Sequence, residues 1–276
     1  MLFQRVLTVA VVLPLFLAAM FLLSNLYWGL MLVAVVVLAG REWSRLAGYS
    51  SRGDILFCVF LAASCGAILW WEHGGAEPRS LMPTVAGDLL YGAAAAFWVG
   101  VAPAWLLRRW QVRSPLVLAA AGWIVLIPFW HALVYLQPTP GRLLVALCVI
   151  WVADTAAYFA GRRFGRRKLA PNISPGKTWE GVWGALAAAA MYWIAVWSLV
   201  PGYAGHLVSG LAWVILTTVV GIEGDLFESW MKRAANVKDS GTLLPGHGGV
   251  LDRVDSLTVA LPLAALYFAH PLTGIR

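Results

Sequence analysis

The stretch from Gly221 to Asp255 reads GIEGDLFESWMKRAANVKDSGTLLPGHGGVLDRVD. Six of the protein's 13 acidic residues fall in it: Glu223, Asp225, Glu228, Asp239, Asp252 and Asp255. Lys232, Arg233, Lys238, His247 and Arg253 are interleaved with them. It interrupts a chain that is otherwise apolar. Of 276 residues, 61% are hydrophobic and only 12% are charged, against about 25% charged in soluble domains. Mean hydropathy is +0.77. The composition excludes an ordinary soluble domain and predicts an all-α polytopic membrane protein.

Apolar runs occupy residues 6–23, 26–39, 55–71, about 89–107, 116–136, 143–160, 182–200, 207–226 and 257–269. The first resembles a signal peptide. It is too long, lacks an A-x-A site and is followed at once by a second run, so a retained anchor is expected. With the N-terminus in the cytoplasm, 17 of the 20 lysines and arginines fall on the inner side. Only Arg79, Arg142 and Arg276 then face outward. That bias predicts about nine spans in a bacterial-type inner membrane, with the C-terminus outside. It also accounts for the net charge of +7, so no nucleic-acid partner is expected. Trp43, Trp70, Trp71, Trp110, Trp179 and Trp230 lie near run ends, where indoles favour the membrane interface. Cys58, Cys65 and Cys148 show no pairing or zinc spacing, and packing roles are expected. Residues 1–140 read as a five-span scaffold. Residues 141–276 read as a catalytic region with cytoplasmic loops at 161–181 and 227–256.

Asp225 and Glu228 are three residues apart, as are Asp252 and Asp255. On a helix that spacing puts each pair on one face. Like charges there repel unless a cation lies between them, and carboxylate oxygens suit Mg²⁺. The PGHGG turn lets backbone N–H groups approach an anion. Upstream, Asp154 lies inside the sixth run, where a charge costs at least about 2.5 kcal/mol. Tyr158 and Gly161 follow on the same stripe. A neutral Asp154 bonding two helices is the plainer alternative to a functional one. The next loop carries ISPGKTWEG, where Ser174, Gly176, Lys177 and Thr178 form a turn opening the seventh run. That turn could cradle phosphate, although the P-loop spacing is absent. Glu180 reads either as a helix-start carboxylate or as a catalytic one. Carboxylates for a metal, basic groups for phosphates and a glycine loop point to phosphoryl or nucleotidyl transfer. The bland alternative is a set of solvated loop charges.

These motifs resemble the phosphatidate cytidylyltransferases, or CDP-diacylglycerol synthases. The pattern S-x-x-K-R-x-x-x-x-K-D-x-G-x-x-x-P-G-H-G-G-x-x-D-R-x-D is matched from Ser229 to Asp255 without a gap. G-D-L-x-E from Gly224, S-P-x-K-T-W-E-G from Ser174 and D-x-x-A-Y-x-x-G from Asp154 are similar to that family as well. The resemblance covers residues 154–255, and nothing functional carries onto the first 140. It implies transfer of CMP from CTP to phosphatidate with Mg²⁺, and room for a second cation. It implies catalytic roles for Asp225, Asp252, Lys232, Lys238, His247 and Asp255. Asp225 and Asp252 are the first metal ligands expected, followed by Asp255, Glu228 and Asp154. Ser174, Lys177, Thr178, Arg233, Gly248, Gly249, Arg253 and Tyr158 would bind CTP or the lipid headgroup. Membrane lipid and a second copy of the chain are the expected partners. A CTP-dependent lipid kinase, a cation-coupled transporter using Asp154 and a silent scaffold are the competing classes.

Overall fold

The computed structural model describes residues 2–74, 84–203, 205–243, 246 and 248–270. The order is α1 (Leu2–Leu22), α2 (Asn25–Leu46), α3 (Ser51–His73), α4 (Thr84–Ala96), a π-helical turn (Phe97–Val101), α5 (Ala102–Arg108), α6 (Pro115–Leu136) and α7 (Pro140–Phe164). A hairpin of β1 (Lys168–Ala170) and β2 (Ser174–Thr178) follows. The chain ends in α8 (Trp179–Leu199), α9 (Leu207–Ala234) and α10 (Leu251–Ala269). The structure is that of an all-α polytopic membrane protein. Among the described residues, seven helical segments are long and apolar enough to cross a membrane, with α4, the π turn and α5 acting as one from Ala86 to Arg108. α1 and α10 fall outside that set.

Helices extend past the apolar runs that announced them. The polar stretch 41–54 between the second and third apolar runs is mostly helix, because α2 continues to Leu46 and α3 begins at Ser51. Several polar side chains there have partners within the fold. The Trp43 indole donates to Leu118 O at 3.0 Å, and Ser44 Oγ donates to Asp54 Oδ1 at 2.6 Å. Ser50 caps α3 by accepting from Gly53 N, which satisfies one otherwise orphaned amide. α9 likewise carries Asp225, Glu228 and Lys232 within one continuous helix.

α6 is the central rod, packed against α2, α3, α4 and α10. Trp28 Nε1 donates to Leu133 O and Trp130 Nε1 to Gly29 O, which ties α2 to α6. Trp43, expected at the interface, is therefore a core residue at 2% exposure. Trp70, Trp71, Trp110 and Trp179 are exposed. Cys65 is buried and Cys58 and Cys148 are half-buried, all as free thiols.

Two close helix contacts position the site. A methyl group on Gly184 of α8 would collide with Ala160 of α7. Small residues thus let these helices approach, as they do elsewhere in membranes. A methyl group on Gly224 of α9 would collide with Val259 and the Asp255 carbonyl of α10. That approach brings Asp225 of α9 beside Asp255. On the other side of α9, Phe227 meets Trp43 and, from the π turn and α5, Phe97, Trp98 and Trp105. The extra residue of a π turn re-aims side chains, and two consecutive rings reach the same phenyl group here.

Candidate active site

The helices α7, α8, α9 and α10 and the hairpin enclose a half-open cavity of about 620 Å³. Asp154, Tyr158, Ser174, Lys177, Thr178, Asp225, Lys232, Asp239, Asp252, Arg253 and Asp255 all line it. The two polar segments, separated by some 45 residues in sequence, therefore meet. Lys177 of β2 is where they touch: its Nζ lies 2.6 Å from Asp225 Oδ2 and donates to Ile222 O at 3.2 Å.

Asp225, Glu228 and Asp255 each offer an oxygen within 4.8 Å of the other two. The i,i+3 spacing on α9 supplies the first two, and the Gly224 contact supplies the third. Glu228 Oε1 is buried with no partner among the described residues. Three converging carboxylates with an orphaned oxygen fit a divalent cation that takes oxygen ligands.

Asp252 is arranged differently. Its Oδ2 accepts from Ser240 N at 2.9 Å, Ser240 Oγ at 2.9 Å and Gly249 N at 2.8 Å. Its Oδ1 accepts from Lys232 Nζ at 2.6 Å, and the same ammonium donates to Glu228 Oε2 at 2.6 Å. Asp225 and Asp252, the metal pair expected first, line the same cavity, and the tight group of three carboxylates is Asp225, Glu228 and Asp255. Asp252 is engaged by protein donors, and Glu228 and Asp255 stand beside Asp225. Asp154 opens onto the same cavity from α7.

Other expected site residues take varied places. Thr178 caps α8, accepting from Gly181 N at 3.2 Å. Tyr158 Oη accepts from Arg162 Nη1 on the cavity wall. Ser174 and Lys177 lie on a strand rather than in a turn. Glu180 accepts from the backbone N–H groups of Arg166 and Arg167, which fixes the start of the hairpin. Arg233 points away from the cavity, donating to Val237 O and Ile173 O. It lines a second hollow with Arg45 and Arg113. Lys238 is outside the lining. Gly248 has a φ of 82°, a conformation glycine adopts without penalty. His247 lies outside the described residues.

One residue absent from the sequence expectations belongs here. Glu42, near the end of α2, accepts from Val250 N, Leu251 N and Ser240 Oγ at 2.8–2.9 Å. The scaffold expected for residues 1–140 therefore sends a carboxylate into the motif loop. Its one sequence signal is an acid between Arg41 and Trp43 at the end of an apolar run.

A bundle of apolar helices with an acid-lined, lysine-bridged cavity at one end defines a membrane protein with a charge-rich site. The chain belongs to the Cytidylyltransferase family, whose profile matches residues 3–270. It is 40% identical to the phosphatidate cytidylyltransferase of Pseudomonas aeruginosa, over 98% of each chain. The enzyme of that name from Haemophilus influenzae is 34% identical over 97% of this chain and 99% of its own. The one from Brucella suis is 50% identical over 85% of this chain and 75% of its own.

Proposed function

We propose that this protein is a phosphatidate cytidylyltransferase, which transfers CMP from CTP to phosphatidate and releases pyrophosphate. The observation that carries this reading is the shared cavity: the motifs of residues 154–181 and 225–255 line one hollow and put acids and lysines on facing walls. Membership of the family and full-length similarity to enzymes of that name support it.

The phosphatidate phosphate oxygen is already a nucleophile and needs no strong base. It attacks the α-phosphate of CTP, and the bond to the β-phosphate breaks. The task of the protein is to hold two polyanions in line and to offset their charge. Lys177, Arg253 and Ser174 bind phosphate oxygens from the hairpin and α10. Lys232 stands between Glu228 and Asp252 and fixes both carboxylates. Asp225, Glu228 and Asp255 would hold Mg²⁺, with Asp154 on the same wall available to a second cation. Bound there, Mg²⁺ would neutralise charge on the transferring and departing phosphates. CTP enters from the cytoplasm, and phosphatidate enters sideways from the inner leaflet. This reading sets the N-terminus inside, treats α1 and α10 as spans as well, and pairs the protein as a homodimer in a bacterial inner membrane.

Purified protein with phosphatidate and Mg²⁺ tests it. CTP labelled at the α-phosphate should place label in lipid, and EDTA should abolish the transfer. Label from the γ-phosphate in lipid would make it a kinase. Ion flux in proteoliposomes without CTP would make it a transporter.

A further inference from the structure

The Gly249–Leu251 backbone, which continues the PGHGG turn that the sequence offers to an anion, is already turned toward two carboxylates of the protein itself. Gly249 N–H serves Asp252. Val250 N–H and Leu251 N–H serve Glu42, with 2.9 Å to Oε1 and 2.8 Å to Oε2. Glu42 lies 208 residues upstream of Val250. Its side chain is enclosed, with the residue 4% exposed. A methyl group on Gly241 or Gly249 would overlap its carboxylate. Both glycines are thus explained by the close approach of Glu42, without a ligand.

Glu42 also shares a proton donor with the site. Ser240 Oγ lies 2.9 Å from Glu42 Oε2 and 2.9 Å from Asp252 Oδ2. A hydroxyl has a single hydrogen, so the two carboxylates compete for it. The position of Glu42 is itself fixed from both sides. Trp43 is bonded to Leu118 of α6, and Ser44 to Asp54 of α3. A rigid frame in the N-terminal half therefore ends in a carboxylate that holds the first turn of α10, the helix carrying Asp252 and Asp255.

From this we infer that Glu42 is a positioning residue for the transfer reaction: it sets Asp252, and through Asp252 the Lys232 ammonium, by capping α10 and orienting Ser240. The inference rests on the cytidylyltransferase reading of the cavity. It assigns a role in turnover to a helix outside the motif segments.

Glu42→Gln keeps the size but places an amide N–H against the N–H of Val250 or Leu251. One cap bond is lost and the Ser240 hydroxyl turns wholly to Asp252. In full-length protein in detergent with phosphatidate, kcat should fall by about 10- to 100-fold, as on losing an outer partner of a charged site. KM for CTP and for phosphatidate should stay within about twofold. Glu42→Asp, which keeps the charge, should recover part of kcat. Combining Glu42→Gln with Ser240→Ala should cost less than the sum of the two, since they act through one hydroxyl. Gln137→Leu controls for mere loss of packing. Gln137 is another buried polar link, joining α1 and α6 through Met20 O and Leu23 O. It should lower thermal stability and leave kcat alone. The inference falls if folded Glu42→Gln protein turns over like wild type. It falls equally if Glu42→Gln behaves as Gln137→Leu does, losing stability with kcat intact. Wild-type protein with no transfer activity would instead bring down the cytidylyltransferase reading, and this role with it.

Discussion

Two buried polar clusters, one in each half of the molecule, use charge in opposite ways. In the N-terminal half, His131 of α6 bonds Glu72 of α3 through Nε2 at 2.9 Å and Tyr91 of α4 through Nδ1 at 2.6 Å. The side chains of His131 and Glu72 have no exposure at all. One imidazole bridges a carboxylate and a phenol, and the cluster pins three helices, although Glu72 Oε2 has no partner among the described residues. In the C-terminal half, Asp154, Asp225, Asp252 and Asp255 face a cavity with Lys177, Lys232 and Arg253, and Glu228 stands behind them on Lys232. Here one sign is concentrated and the wall is open. A closed bridge ties helices together, while the open cluster leaves carboxylates in excess of its lysines and arginine. Buried charge alone therefore identifies no site, and the excess over partners does.

The comparison breaks most easily at the open cluster. Asp225→Ala should reduce Mg²⁺-dependent transfer by about 1,000-fold, the scale of removing an electrostatic contact to the transition state. The protein should still insert and melt near wild type. Near-normal turnover would end the assignment of Asp225 as a ligand. Lys232→Met should lower activity by about 100-fold and also stability by about 3 kcal/mol, because Glu228 and Asp252 are left buried without their cation. Activity assays paired with thermal unfolding in detergent check both halves of that expectation.

The closed cluster should respond the other way. His131→Phe should cost about 3 kcal/mol of stability by orphaning Glu72 and Tyr91. The kcat of the folded fraction should stay within about threefold of wild type. A selective loss of kcat would erase the distinction between the clusters. The smallest effect is expected at Thr178, where Thr178→Ala should cost about 1 kcal/mol of cap energy. Thr178→Ser should cost almost nothing, read as a shift in melting temperature.

Where sequence spacing worked, the interaction was local. Asp225 and Glu228 share a helix face because they are three residues apart on α9. Where residues share a face but differ in partners, contacts from distant segments decided. Asp252 and Asp255 have the same spacing, yet Asp252 is drawn to Ser240, Gly249 and Lys232 while Asp255 joins Asp225. Arg233 sits beside Lys232 in sequence, but the turn of the helix sends it to a different hollow. His131 likewise meets Glu72 and Tyr91 from 59 and 40 residues away in sequence.

The amino-acid order alone settled the membrane class, the approximate course of the helices, the family resemblance and the two segments that carry the polar chemistry. Each of these follows from composition or from neighbours a few positions apart, which chain connectivity fixes. The folded arrangement decided which acids converge, which lysine bridges them, and that Glu42 reaches the turn before α10. Those outcomes depend on how closely helices approach, at Gly224 against Val259 and at Gly249 against Glu42. Side-chain volume and hydrogen-bond geometry set such distances only once the helices are packed.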